Sequence, residues 1–199
     1  MKRSLNEVTN AFRKAACGAG YPFGVAEDIA RAGAALIMAG QDGAATIADI
    51  LPAEKGLPFS QTALAGAAHF DCAAGGEDRV TLEAVDAPLL LVGFALASAR
   101  QYGCSFRLTS GDIAFDVTPR GVCEGFSPDY HSGPVSVALL EGQIDVKPLV
   151  SGEAPVAGEG VEINEAAWPP INKWSMETCV PASEQSRLSG AGAGLTDND

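Results

Sequence analysis

Residues 104–117 read CSFRLTSGDIAFDV. Two runs that alternate apolar and polar residues, Cys104 to Leu108 and Asp112 to Val117, flank the pair Ser110-Gly111. Alternation with a period of two is typical of half-buried strands, and a short connection containing glycine is typical of a hairpin. The segment predicts antiparallel pairing, which favours an α+β fold over a doubly wound parallel sheet.

The chain before this hairpin carries mainly helical signals. Ser4-Leu5-Asn6-Glu7 forms a capping box, after which apolar residues recur at helical spacing until Gly18 or Gly20 ends the helix. Glu27 and Arg31 are four residues apart, as in a helical ion pair. Further helices are predicted at about 25–39, 44–51, 60–73, 89–101 and 170–177.

Other strands are predicted at 79–83, at 134–140 and 143–149 as a second hairpin, and at 161–163. The expected fold is therefore α+β. It has N-terminal helices (about 1–75) packed on a mainly antiparallel sheet with hairpins (about 76–199). We expect residues 1–199 to form a single domain.

The composition excludes several classes of protein. Apolar residues make up 47% of the 199 residues and charged residues 19%, which is typical of globular chains. Only 13 basic residues face 25 acidic ones, for a net charge of −12. Binding to phosphates requires clustered Lys and Arg, so we expect no nucleic-acid partner and no membrane partner.

The five cysteines indicate reduced thiols rather than a disulfide framework, because their number is odd and no Cys-x-x-Cys occurs. No apolar core follows the charged start, as a signal peptide would require, and the apolar run 87–98 is too short to span a bilayer. The predicted location is cytoplasmic. The wide spacing of the cysteines predicts no zinc site, and Cys17, Cys104 and Cys179 are expected to be buried. We also expect no cofactor.

Two segments resemble an uncharacterised family of bacterial proteins, domain of unknown function 3726. They are Gly18 to Asp28, which reads GAGYPFGVAED, and the C-terminal stretch from Val180 to Asp199. In that family a Trp is expected more often than Phe23. The resemblance implies a relationship along nearly the whole chain, and it implies no activity.

The first candidate site is the glycine-rich corner at residues 18–28. Gly20 and Gly24 would let a ligand approach the backbone at the start of a helix, and Glu27 is the candidate catalytic base. No strand precedes the corner and no Gly-Lys-Ser/Thr follows it, so it is neither a dinucleotide fingerprint nor a Walker loop. The structural alternative is a tight corner between two helices.

The second candidate lies near the C-terminus. Arg187 offers a planar fork for a carboxylate or phosphate, Ser183 could donate beside it, and Gly192 could lie against the ligand. Asp197 and Asp199 could ligate a hard cation, although two spaced carboxylates are a weak signal. The structural alternative is a loosely held tail.

Histidine supplies the third candidate. His131 lies in a polar loop and is the better general acid or base. His69 precedes Asp71 and Cys72, but closeness in sequence does not make a catalytic pair. The structural alternative for both is a surface or hydrogen-bonded histidine.

Two functional hypotheses follow. In the first, Glu27 and Arg187 form the polar centre of a pocket for a small metabolite bearing a carboxylate. In the second, the same two residues form a structural ion pair in a non-catalytic oligomeric or accessory protein. Both are compatible with a homodimer.

Overall fold

The helices form the larger part of the fold. The computed structural model describes residues 1–77, 80–122, 133–140 and 160–178. Within these residues the helices are α1 (Leu5–Ala19), α2 (Phe23–Met38), α3 (Gly43–Ile50), α4 (Gln61–Ala74), α5 (Pro88–Tyr102) and α6 (Trp168–Met176).

The strands form a sheet of mixed sequence order and a separate two-stranded ribbon. They are β1 (Lys2–Arg3), β2 (Val80–Leu82), β3 (Ser105–Ser110), β4 (Ile113–Thr118), β5 (Gly121–Val122), β6 (Val135–Leu140) and β7 (Val161–Glu162). The sheet order is β2-β6-β3-β4-β5, and every pairing in it is antiparallel. β1 pairs antiparallel with β7. The predicted α+β class is therefore confirmed.

The hairpin of residues 104–117 forms as predicted, with its turn displaced by one residue. Ser110 pairs with Ile113, so the turn consists of Gly111 and Asp112. Gly111 has a φ of 55°, a left-handed conformation that glycine adopts without steric cost. The apolar positions of both strands face the core, with Phe106, Leu108, Phe115 and Val117 buried.

The two ends of α1 follow the local signals in the sequence. The Ser4 hydroxyl accepts a hydrogen bond from the amide of Glu7 at 3.1 Å, whereas the Glu7 carboxylate pairs with Arg3. Gly20, with a φ of 103°, ends the helix. Gly18 lies inside α1, where an added Cβ would collide with the backbone carbonyl of Trp174 in α6. Gly18 therefore serves close helix packing instead of a turn.

The other helices begin within two residues of the predicted positions. α2 starts two residues early, at Phe23, and has no side-chain cap. α4 is capped by Ser60, whose hydroxyl accepts from the amide of Ala63 at 3.1 Å. The predicted strand at 143–149 lies outside the described residues.

Helix α5 lies at the centre of the molecule and packs on α2, on α4 and on the sheet. Its crossing with α2 is close, because a Cβ on Gly93 would lie 2.9 Å from the carbonyl oxygen of Ala32. On α4, a Cβ on Gly66 would lie 2.6 Å from the ring of Phe94. Backbone contact therefore fixes the spacing of α5 and α2, whereas the Phe94 side chain packs on Gly66 between α5 and α4.

Helix α6 packs on α1 and joins the late part of the chain to the N-terminal helices. The Trp174 indole is buried, and its Nε1 donates to the carbonyl of Pro52 at 2.9 Å. Among the described helices, none is both long and apolar enough to cross a bilayer.

Candidate functional site

Gly20 and Gly24 lie in different surroundings, although both belong to the predicted corner. A Cβ on Gly20 would meet the Phe59 ring at 3.3 Å, so this glycine fits between the end of α1 and an aromatic neighbour. A Cβ on Gly24 would meet nothing within 4 Å. Gly24 is therefore an exposed position in the first turn of α2.

Glu27 points from α2 to the surface. Its carboxylate lies 4.0 Å from the guanidinium of Arg31, which confirms the predicted pair, and its side chain is 40% exposed. The other predicted site residues lie outside the described residues, so the pairing of Glu27 with the C-terminal segment stays a prediction. These residues are His131, Ser183, Arg187, Gly192, Asp197 and Asp199.

His69 and the described cysteines form no catalytic arrangement. The His69 Nδ1 lies 2.7 Å from the carbonyl oxygen of Ala65, one helical turn earlier. Cys72 is exposed, and the charge of Glu77 is the main cause that raises the pKa of its thiol. Cys17 and Cys104 are half-buried, and so less enclosed than predicted. In the described part of the chain, no three His, Cys, Asp or Glu side chains are grouped to hold a metal ion.

A charged cleft does occur beside Arg31, where α2, α4 and α5 meet. We call it the α2–α4–α5 cleft, and it encloses about 60 Å³. Its lining combines charged and polar side chains with a small apolar wall. The lining residues are Asp28, Arg31, Ala67, Asp71, Phe94, Ala97, Ser98 and Gln101.

The charges of the cleft come from α2 and α4. Asp28 Oδ1 lies 3.2 Å from Arg31 Nη1, and Asp71 Oδ1 accepts a hydrogen bond from the Tyr102 hydroxyl at 3.0 Å. Burial raises the pKa of Asp28; the charges of Asp71 and Glu27 add to this, and Arg31 opposes it. The bond to Asp71 raises the pKa of the Tyr102 hydroxyl. The cleft thus brings two carboxylates and one guanidinium close together.

Ser98 supplies the hydroxyl in the lining of this cleft. Its residue is 8% exposed, and its hydroxyl forms no hydrogen bond with any residue that the structure describes. A serine inside a helix commonly bonds to the carbonyl four residues earlier. The Ser98 hydroxyl makes no such bond and is open to the cleft, because Arg3 Nε is the one described side-chain atom that is both sealed from water and unpaired. Ser98 is therefore a polar group whose position in the fold is not explained by internal bonding.

A larger cavity of about 340 Å³ lies between the α2–α3 connection and β7. Its main polar groups are already paired. Asp42 accepts from the amide of Ala45 at 2.8 Å and from the Asn164 side chain at 2.9 Å. Asn164 in turn accepts from the amide of Ala166 at 3.0 Å. These bonds join α3 to the segment after β7, so we assign this cavity a structural role.

The N-terminal part of the chain, which holds Asp28, Arg31 and Asp71, can be compared with known families. Residues 3–78 match the model of the family described as Protein of unknown function (DUF3726). The DUF3726 match confirms the family resemblance at Gly18 to Asp28. The resemblance at Val180 to Asp199 lies outside the match. No curated protein and no solved structure matched this chain.

Sequence reasoning predicted none of the polar residues of the cleft as site residues, namely Asp28, Arg31, Asp71, Ser98 and Gln101. One signal was readable, because Ser98 interrupts the otherwise apolar stretch Leu89 to Ala99 of α5. The meeting of Asp28 with Asp71 depends on how α2 crosses α4, and no local pattern encodes that crossing. The match to DUF3726 includes both Asp28 and Asp71. Ser98 and Gln101 lie after the end of the matched segment.

Proposed function

We propose that this protein binds a small polar metabolite carrying a carboxylate, and that the metabolite lies in the α2–α4–α5 cleft. The observation that carries the proposal is the Ser98 hydroxyl, which opens into a charged cleft and has no hydrogen-bond partner among the described residues. A ligand oxygen would satisfy this hydroxyl. In the free protein this hydroxyl can bond to water, which the ligand oxygen would displace.

Arg31 is the expected anchor for the ligand carboxylate. Its described partners, Glu27 and Asp28, both belong to its own helix, and its side chain is 57% exposed. Exposed pairs of this kind contribute little to stability, so the guanidinium can turn to a ligand at small cost. A guanidinium binds a carboxylate through two parallel hydrogen bonds.

The proposal concerns binding, and no reaction is assigned. Asp28 and Asp71 line the cleft, whereas Glu27 does not, so these two are the acidic residues nearest the proposed ligand. The catalytic roles predicted for Glu27 and His131 stay predictions, as do the cytoplasmic location and the homodimer.

A second candidate function is that of an oligomeric or accessory protein without an active site. Large apolar side chains at the surface favour it, above all Phe23 at 59% exposure and Met176 at 60%. Sedimentation analysis distinguishes the two functions. A dimer that Phe23→Ser dissociates, in a protein that binds no metabolite, would support the accessory role.

The test of the binding proposal is a thermal-shift screen of the full chain against small carboxylic metabolites. A ligand at 100 times its dissociation constant stabilises a fold by about 2.7 kcal/mol. We expect at least one hit that is lost in Ser98→Ala and in Arg31→Gln and kept in Arg120→Gln, a control at an exposed arginine between β4 and β5. A flat response throughout the screen contradicts the proposal.

A further inference from the structure

The charges of the α2–α4–α5 cleft restrict the ligand more narrowly than the proposed function does. A ligand bearing only a carboxylate would be attracted by Arg31 and repelled by both Asp28 and Asp71. Like charges held close together in a partly desolvated site are unfavourable. A ligand that also carries a cation would meet an opposite charge at each end.

The size of the cleft points to a compact head group. A bound water needs roughly 10–15 Å³ of such space, so the 60 Å³ of this cleft hold about four to six atoms of that size. An α-amino carboxylate group has five non-hydrogen atoms: the nitrogen, the α-carbon and the three atoms of the carboxylate. The remainder of the ligand would leave through the mouth of the cleft, where Arg31 and Gln101 are exposed.

Hydrogen-bonding capacity agrees with this assignment. The Tyr102 hydroxyl occupies one oxygen of Asp71 and leaves the other to accept from an ammonium group. The Ser98 hydroxyl can donate to a carboxylate oxygen. Three ammonium hydrogens and two carboxylate oxygens would thus find partners on α2, α4 and α5.

We infer that the ligand is an α-amino acid, with its ammonium group between Asp28 and Asp71 and its carboxylate on Arg31 and Ser98. This inference rests on the proposed function, because it takes the same cleft as the binding site. It adds a requirement for a positive charge next to the carboxylate.

Isothermal titration of the full chain with matched ligands tests the inference. The ligands are the standard L-amino acids, the amines that remain when their carboxylate is removed, and the acids that remain when their amino group is removed. For the amino acid that binds, we expect affinity at least about 10-fold above that of its amine and its acid, a difference of about 1.4 kcal/mol.

Variants then locate the binding. Asp71→Asn should lower the affinity for the amino acid and for the amine at least about 10-fold, and it should leave the affinity for the acid unchanged. Ser98→Ala and Arg31→Gln should each lower the affinity for the amino acid and for the acid. Asp49→Asn, at an exposed position of α3, and Arg120→Gln serve as controls that leave binding unchanged.

The failure of the inference can be told apart from the failure of the proposed function. An acid that binds as tightly as its amino acid overturns the inference and leaves the function standing. The absence of binding by every ligand overturns both. Amino-acid binding that survives both Ser98→Ala and Arg31→Gln also overturns both, because the ligand then lies elsewhere.

Discussion

Thr62 and Asp86 exchange hydrogen bonds across the start of α4. The amide of Thr62 donates to Asp86 Oδ1 at 3.0 Å, and the amide of Asp86 donates to Thr62 Oγ1 at 3.0 Å. Asp86 also accepts from the Ser60 hydroxyl at 2.7 Å and from the amide of Gln61 at 2.9 Å. The free amides of α4 are thus satisfied by a residue from the connection before α5, which fixes α4 beside α5.

This arrangement makes stability depend on pH. Burial acts to raise the pKa of Asp86, but the bonds from Ser60, Thr62 and Gln61 outweigh burial and hold it below the ordinary 3.8. The folded state therefore binds fewer protons than the unfolded state around that value. The stabilisation by Asp86 is complete above the ordinary pKa and is lost as pH falls through the folded pKa.

We expect Asp86→Ala to lower the free energy of unfolding by about 1–2 kcal/mol at neutral pH, because the amides of Gln61 and Thr62 at the start of α4 lose their acceptor. The difference from the parent protein should shrink in acid. Denaturant titrations at a series of pH values measure it, with Glu83→Ala as the exposed control. A difference that does not change with pH contradicts the prediction.

Gly93→Ala should destabilise the fold by about 1–3 kcal/mol, because the new methyl group is forced against the Ala32 carbonyl. Gly24→Ala is the matched control on a helix. Its methyl group meets open space, so we expect no loss and a gain of up to about 1 kcal/mol. Thermal unfolding distinguishes the two, and equal melting temperatures would contradict the close crossing of α2 and α5.

Asp28→Asn should stabilise the protein near neutral pH while weakening amine and amino-acid binding. Burial, Asp71 and Glu27 disfavour the charged carboxylate and raise its pKa. The resulting loss of folding stability is complete above the pKa of Asp28 in the folded state, and it disappears as pH falls below the ordinary pKa of 3.8. Melting temperatures of the parent and the variant across this pH range measure the effect. A variant less stable than the parent at neutral pH would show that Asp28 is needed to hold Arg31.

Trp174→Phe should cost about 1–3 kcal/mol, because the buried carbonyl of Pro52 loses its donor. Trp168→Phe is the control, since that ring is half-buried and stacks on Arg3, an interaction that phenylalanine preserves.

We also expect helix content and tryptophan fluorescence to change in one common transition, as the predicted single domain requires. Two separate transitions would contradict that prediction.

The local features of the fold could be predicted from the sequence, and the long-range ones could not. Ser4, Ser60 and Gly20 act through neighbours within a few residues, so the pattern around each one identified a helix end. The sequence around Gly18 is typical of a helix end, but in the structure Gly18 packs against Trp174 of α6, which is far away along the chain. Ser98 becomes notable only when α5 has been placed against α2 and α4, because only then does its hydroxyl line a cleft beside charged side chains.

The close helix crossing at Gly93 has an evolutionary consequence. Because backbone contact with Ala32 sets the distance between α2 and α5, exchanging side chains cannot move these two walls of the cleft apart without displacing a helix. Relatives with the same crossing are expected to keep the same head-group chemistry. Divergence in ligand preference would then occur at the rim, at Gln101, where a new side chain can be accommodated without repacking the interior.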